Sequence, residues 1–189
     1  MGRPINKKYF GNRNVSDPNS TGDDYGIGGQ YVSAIATGTA GSGYSQGLAA
    51  TVAAPTITGG VTATTSVGVY ANGVISGYTV TDGGSGYTSA PAITLVKPGN
   101  ITIASANVSG TTGSNVLTIT SSTSGIYVGM KVSATGVNAS ATFVSVVNPG
   151  NVILSLVNAA NISGNALFYD AGTGGAAGTV SLSYYATDI

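Results

Sequence analysis

The chain has 189 residues, a formal net charge of zero, and only 6% charged residues, against about 25% in ordinary soluble domains. It contains no His, no Cys and no Glu. A Ser-His-Asp triad, a Cys-His pair, disulfides and thiolate metal sites are thereby excluded.

Solubility must come from Ser, Thr, Asn and backbone, and a surface so poor in charge tends to associate. Of all residues, 42% are hydrophobic, and Val, Ile, Thr and Tyr recur in alternation, which favours sheet. No stretch shows helical periodicity with caps. The expected fold is all-β: two small antiparallel β-sandwich-like units preceded by an extended N-terminal arm. No apolar run is long enough to cross a bilayer, so no membrane partner is expected. The start, Met1-Gly2-Arg3-Pro4-Ile5-Asn6-Lys7-Lys8, lacks the apolar segment of a secretory signal. Assembly inside a cell is expected.

Residues 1–28 form the arm. Four of the six basic residues, Arg3, Lys7, Lys8 and Arg13, fall in its first thirteen positions, followed by Asp17, Asp23 and Asp24. Its apolar residues are too few to make a core. A solvated tail would satisfy that composition. A docking arm satisfies it too and also explains the Tyr9-Phe10 pair, because aromatic rings bury where a surface is offered. On the second reading Tyr9 and Phe10 enter a partner groove, and Arg3, Lys7, Lys8 and Arg13 meet carboxylates at its rim. The basic patch is small and the body neutral, without a recognition motif, so nucleic acid is not expected as the partner.

Residues 29–98 read as a Gly-rich β-repeat unit. Its signature is Asp82-Gly83-Gly84-Ser85-Gly86-Tyr87, a tight corner between strands with Tyr87 as anchor. A degraded copy, Gly41-Ser42-Gly43-Tyr44-Ser45, lies earlier. From Tyr44 to Tyr87 the offset is 43 residues, and Ser33/Ser76, Ala49/Ala92, Thr51/Thr94 and Pro55/Pro98 repeat it. Such self-similarity marks a structural unit used twice. Asn72-Gly73 predicts a hairpin with a type I′ turn. That register puts Val67, Val69, Val74, Tyr78 and Val80 on one buried face, with Ile75, Gly77 and Thr79 on the other.

Residues 99–189 read as a second β-sandwich-like unit. Strands are predicted over 101–103, 116–120, 131–134, 142–147, 152–157, 166–169 and 180–185. Asn148-Pro149-Gly150-Asn151 predicts a type II turn. The strands beside it are apolar on both faces: Phe143, Val147, Leu154 and Leu156 on one, Val144, Val146 and Ile153 on the other. A strand buried on both sides lies between layers or between subunits, so a homo-oligomer is expected. The run 172–178 predicts a flexible loop.

No catalytic constellation emerges, and no enzyme activity is expected. Beyond the arm the carboxylates are Asp82, Asp170 and Asp188, and nothing in sequence brings them together. Asp17-Pro18-Asn19-Ser20-Thr21-Gly22 begins like a calcium loop, but its twelfth position is Gly28 instead of a bidentate Glu. A turn rich in Asx residues explains it better. No metal or cofactor is expected. The eleven Tyr could include a platform for a glycan, although sheet faces and interfaces account for aromatic residues more simply.

The stretch Gly83-Gly84-Ser85-Gly86-Tyr87-Thr88-Ser89-Ala90-Pro91-Ala92-Ile93-Thr94 resembles a Gly-rich β-repeat of tailed-phage virion proteins. Ser114-Asn115-Val116-Leu117-Thr118-Ile119, Tyr127-Val128-Gly129-Met130-Lys131-Val132-Ser133-Ala134-Thr135-Gly136-Val137 and Val152-Ile153-Leu154-Ser155 through Phe168 are similar to a second phage module. Ala134 stands where that module carries Gly. The opening Gly2-Arg3-Pro4-Ile5-Asn6-Lys7-Lys8-Tyr9-Phe10-Gly11 resembles the start of structural proteins from phages of marine cyanobacteria. The resemblance implies a virion location and a capsid or other virion protein as partner. The leading expectation is a capsid decoration or cement protein anchored by the arm. The alternative is a tail-fibre or adhesin segment that binds host surface glycan.

Overall fold

The computed structural model describes residues 29–104, 108–138 and 142–184. The expected arm, 1–28, lies outside them. The described residues form fourteen strands and no helix. All strand pairs are antiparallel. The all-β, sandwich-like expectation holds.

The repeat region contains β1 (Tyr31–Ser42), β2 (Ala49–Val52), β3 (Thr64–Val69), β4 (Ile75–Asp82) and β5 (Ile93–Val96). Its two copies are related by an approximate local two-fold. β2 pairs with β5, and Thr51 stands directly opposite Thr94, its own repeat equivalent. Tyr44 N–H donates to Gly73 C=O at 3.0 Å, and Tyr87 N–H donates to Gln30 C=O at 3.0 Å. Gln30 and Gly73 are equivalent at the same offset, so each tyrosine corner is bonded to the other copy. Gly41 and Gly84 have φ of 60° and 61°; Gly43 and Gly86 have 74° and 83°. This left-handed backbone favours glycine, which is why the Gly-x-Gly-Tyr spacing recurs. Val32 and Ile75, also equivalent, are both buried.

The hairpin between β3 and β4 differs from the expected one. No non-glycine residue among those described has positive φ, so Asn72 cannot take the first position of a type I′ turn. Instead Gly73 N–H donates to Tyr70 C=O at 2.9 Å, with Gly73 at φ +79°. The loop is three residues long, Ala71-Asn72-Gly73, with glycine in the left-handed position after the turn. The extra residue shifts the register between Gly68 and Val69, so Val69 faces Ile75. Beyond the shift the predicted pairs Val67–Tyr78 and Thr65–Val80 stand. Ile75 is therefore buried, contrary to the expectation, while Tyr78 and Val80 pack on the core as expected and Thr79 is exposed.

The second unit contains β6 (Ile101–Ile103), β7 (Val108–Gly110), β8 (Val116–Ile119), β9 (Lys131–Ser133), β10 (Val144–Asn148), β11 (Asn151–Leu154), β12 (Ile162–Ser163) and β13 (Ala166–Tyr169). One sheet has the order β10-β11-β8-β7-β12 and the other β6-β13-β9. Leu117, Ile119, Met130, Val132, Val144, Val152, Leu154 and Phe168 fill the core. Burying each such side chain contributes about 1.5–3 kcal/mol. Gly150 has φ +79°, as the third position of a type II turn requires. A register shift between Val144 and Val146 turns Val144 inward. The expected grouping of Val144 with Val146 and Ile153 on one face is thus corrected: a bulge reverses the alternation.

The last strand, β14 (Thr173–Ser183), pairs with β1 along its length. The predicted loop over 172–178 is mostly strand. Ala177, Val180 and Leu182 pack on Val32, Ile35 and Tyr87. The boundary at 98/99 therefore does not separate the two packing units: residues 173–183 belong with the repeat region. Gly175 N–H donates to the Tyr44 hydroxyl at 3.0 Å, as Ala63 N–H donates to the Tyr87 hydroxyl at 2.8 Å. Gly175 stands opposite Ala40. Ala63 precedes Thr64, which stands opposite Asp82. So β14 does for the first copy what β3 does for the second.

Candidate functional site

The expected partner-binding residues Arg3, Lys7, Lys8, Tyr9, Phe10 and Arg13 all lie outside the described residues, as does the Asp17–Gly28 stretch. The structure neither brings them together nor separates them.

The two described carboxylates hold backbone. Asp82 Oδ1 accepts from Gly84 N–H at 2.8 Å, closing the glycine corner. Asp170 is buried and accepts from Ser45 N–H and Ser45 Oγ–H, each at 2.8 Å, and from Gly172 N–H at 2.7 Å. It fastens the end of β13 to the first tyrosine corner. No group of three potential metal-ligating His, Cys, Asp or Glu exists among the described residues.

Two tyrosines of the repeat region, Tyr87 and Tyr78, have raised pKa values. Burial pushes the Tyr87 hydroxyl above its ordinary pKa of 10.0; the hydrogen bond from Ala63 offsets part of this, and the Asp82 charge adds to it. The same hydroxyl donates to Ala53 C=O at 3.2 Å. Burial, with Tyr44 nearby, also raises Tyr78. The Tyr78 hydroxyl is buried without a hydrogen-bond partner.

One candidate interaction surface is the outward face of the five-stranded sheet. Val116 stands opposite Ile153, and Ile153 opposite Val146. Residues opposite one another project to the same face, so these three form an apolar row across β8, β11 and β10. Val116 is 38% exposed and Val146 41%. Just beyond β11, Leu156 is 38% and Val157 54% exposed. Charge is absent from this row, so nothing opposes its burial beneath a second surface. Sequence reasoning grouped Val146 and Ile153 on one face, together with Val144, but did not mark that face as outward and missed Val116, because the β8–β11 pairing is not legible from local pattern. No family model, no curated protein and no solved structure matches this chain.

Proposed function

We propose that this chain is a non-enzymatic structural protein of a tailed-phage particle, a capsid-associated decoration protein. Its N-terminal arm docks on a capsid or other virion protein, and its copies associate through the outer face of the second unit. The observation that carries the reading is the uncharged Val116–Ile153–Val146 row, with Leu156 and Val157 exposed beside it. Association would remove that apolar area from water, at about 25 cal/mol per Å². The phage resemblance of the repeat supplies the setting. The arm supplies the attachment, with aromatic anchors giving affinity and basic residues giving direction.

Two variants test it. Val146→Asp should shift the full chain toward monomer in sedimentation, because it places a charge in the contact. Deleting residues 1–13 should abolish particle binding while leaving the strand signal in circular dichroism unchanged. Full occupancy on particles without the arm would refute the attachment. A wild-type monomer at high micromolar concentration would refute the association.

A further inference from the structure

The second, smaller sheet carries a different row. Lys131 stands opposite Tyr169 on one side and opposite Phe143 on the other. Their neighbours Phe168, Val132 and Val144 are buried in the core. Successive side chains alternate between faces, so Tyr169, Lys131 and Phe143 share the outer one. All three are half-buried. Across from Lys131 and Phe143 stand the hairpin tip Ala71-Asn72-Gly73 and the Gly43-Tyr44 corner of the repeat region. Together they enclose a cleft of about 300 Å³, at the small end of ligand sites.

The cleft has a definite chemistry. The Lys131 ammonium has no hydrogen bond or ion pair among the described residues, whereas Lys97 donates to Gly172 C=O at 3.2 Å. Asn72 uses its Oδ1 to accept from Val74 N–H at 3.3 Å, which leaves its amide N–H groups as donors. Glycines let the two walls of the cleft approach each other at the backbone. A Cβ on Gly73 would come within 2.9 Å of Gly43 N, and one on Gly129 within 2.9 Å of the Tyr44 carbonyl oxygen. The wall therefore offers a cation, amide donors, an aromatic ring and bare backbone.

A ligand that matches must bring an anion, hydroxyl acceptors and an apolar ring face in a small volume. We propose that this cleft binds an acidic sugar unit, a hexuronate ring bearing one carboxylate. The carboxylate meets Lys131 in a charge-assisted hydrogen bond. The ring's C–H face lies on Phe143, and a hydroxyl accepts from Asn72. A neutral hexose lacks the first contact, and a simple carboxylate lacks the other two. The proposal is independent of how copies of the chain assemble.

The test is a titration of the isotope-labelled full chain, followed by backbone amide shifts at constant ionic strength. Glucuronate should give saturable shifts at Gly73, Lys131 and Phe143, with a Kd of about 1–10 mM, the range of a few contacts at −3 to −4 kcal/mol. Glucose and acetate should each bind at least tenfold more weakly, and Lys131→Gln should lose tenfold or more. If Lys131→Gln disturbs the fold, Phe143→Leu takes its place with the same expected loss. The proposal is overturned if glucuronate gives no saturable shift. It is overturned equally if glucose or acetate matches glucuronate, or if the variant binds as the wild type does.

Discussion

Tyr87 and Gln30 exchange both backbone hydrogen bonds: Gln30 N–H donates to Tyr87 C=O at 2.8 Å, and Tyr87 N–H returns to Gln30 C=O at 3.0 Å. This pair joins the start of the first repeat copy to the corner of the second. The Tyr44–Gly73 bond joins the copies the other way. The tyrosine rings are thus tied at the backbone and again at the hydroxyl.

Removing a hydroxyl should expose that dependence. Tyr87→Phe strands the buried Ala63 N–H and loses the bond to Ala53 C=O. An unsatisfied buried donor costs about 1–3 kcal/mol. Tyr44→Phe strands Gly175 N–H in the same way. Chemical denaturation should show a loss for both variants, the larger for Tyr87→Phe, whose hydroxyl makes two bonds. A loss for Tyr87→Phe alone would mean that β14 is not the counterpart of β3.

Alkaline pH should weaken the fold. The folded-state pKa values of Tyr87 and Tyr78 lie above the ordinary 10.0, chiefly through burial. An acid whose folded pKa is raised keeps its proton longer in the folded state than in the unfolded one. The stabilisation is complete below pH 10 and is lost as pH rises through the folded values. Melting temperature should be flat from pH 7 to about 9.5 and fall above 10. Tyr87→Phe, already less stable, should show a shallower fall, because one of the two titrating groups is gone.

Glycine substitutions should sort by backbone and space. Gly84 has φ +61°, and a Cβ there would run into the Val61 carbonyl oxygen. Gly84→Ala should cost at least the 1–3 kcal/mol or so of a strained non-glycine residue. Gly99 has nothing within 4 Å of a built Cβ and no positive φ. Gly99→Ala should stay within about 0.5 kcal/mol of wild type. Equal effects in urea unfolding would contradict the corner geometry.

The placement of β14 makes a prediction that a chain divided at 98/99 would not make. Leu182 packs against the repeat core, more than a hundred residues away in sequence from Val32. Leu182→Ala should cost about 2 kcal/mol, the low end for a leucine because it is only partly buried. Amide exchange should quicken at β1, around Val32 and Ile35. It should stay unchanged at Leu117, Ile119 and Val152 in the second core. Faster exchange in the second core with β1 unaffected would reverse the assignment.

Sequence by itself determined the all-β class, the repeat, the tyrosine corners and several strand bounds, Ile101–Ile103 and Ala166–Tyr169 among them. These rest on local chemistry: β-branched alternation, glycine where φ must be positive, a Pro-Gly turn. Only the tertiary structure decided the rest. Asn72-Gly73 marked a turn, but local preference could not separate a two-residue loop from a three-residue one, and the added residue moved Ile75 into the core. The Gly172–Gly178 run read as a loop because glycines disfavour isolated strands. It forms a strand because Gly38 and Gly178 let the backbones approach closely, with a built Cβ on Gly178 lying 3.0 Å from Gly38 Cα. The pairing of β1 with β14, the Val116–Ile153–Val146 row and the Tyr169–Lys131–Phe143 row all join residues distant in sequence. Such contacts form only when the whole chain closes, and no local pattern carries them.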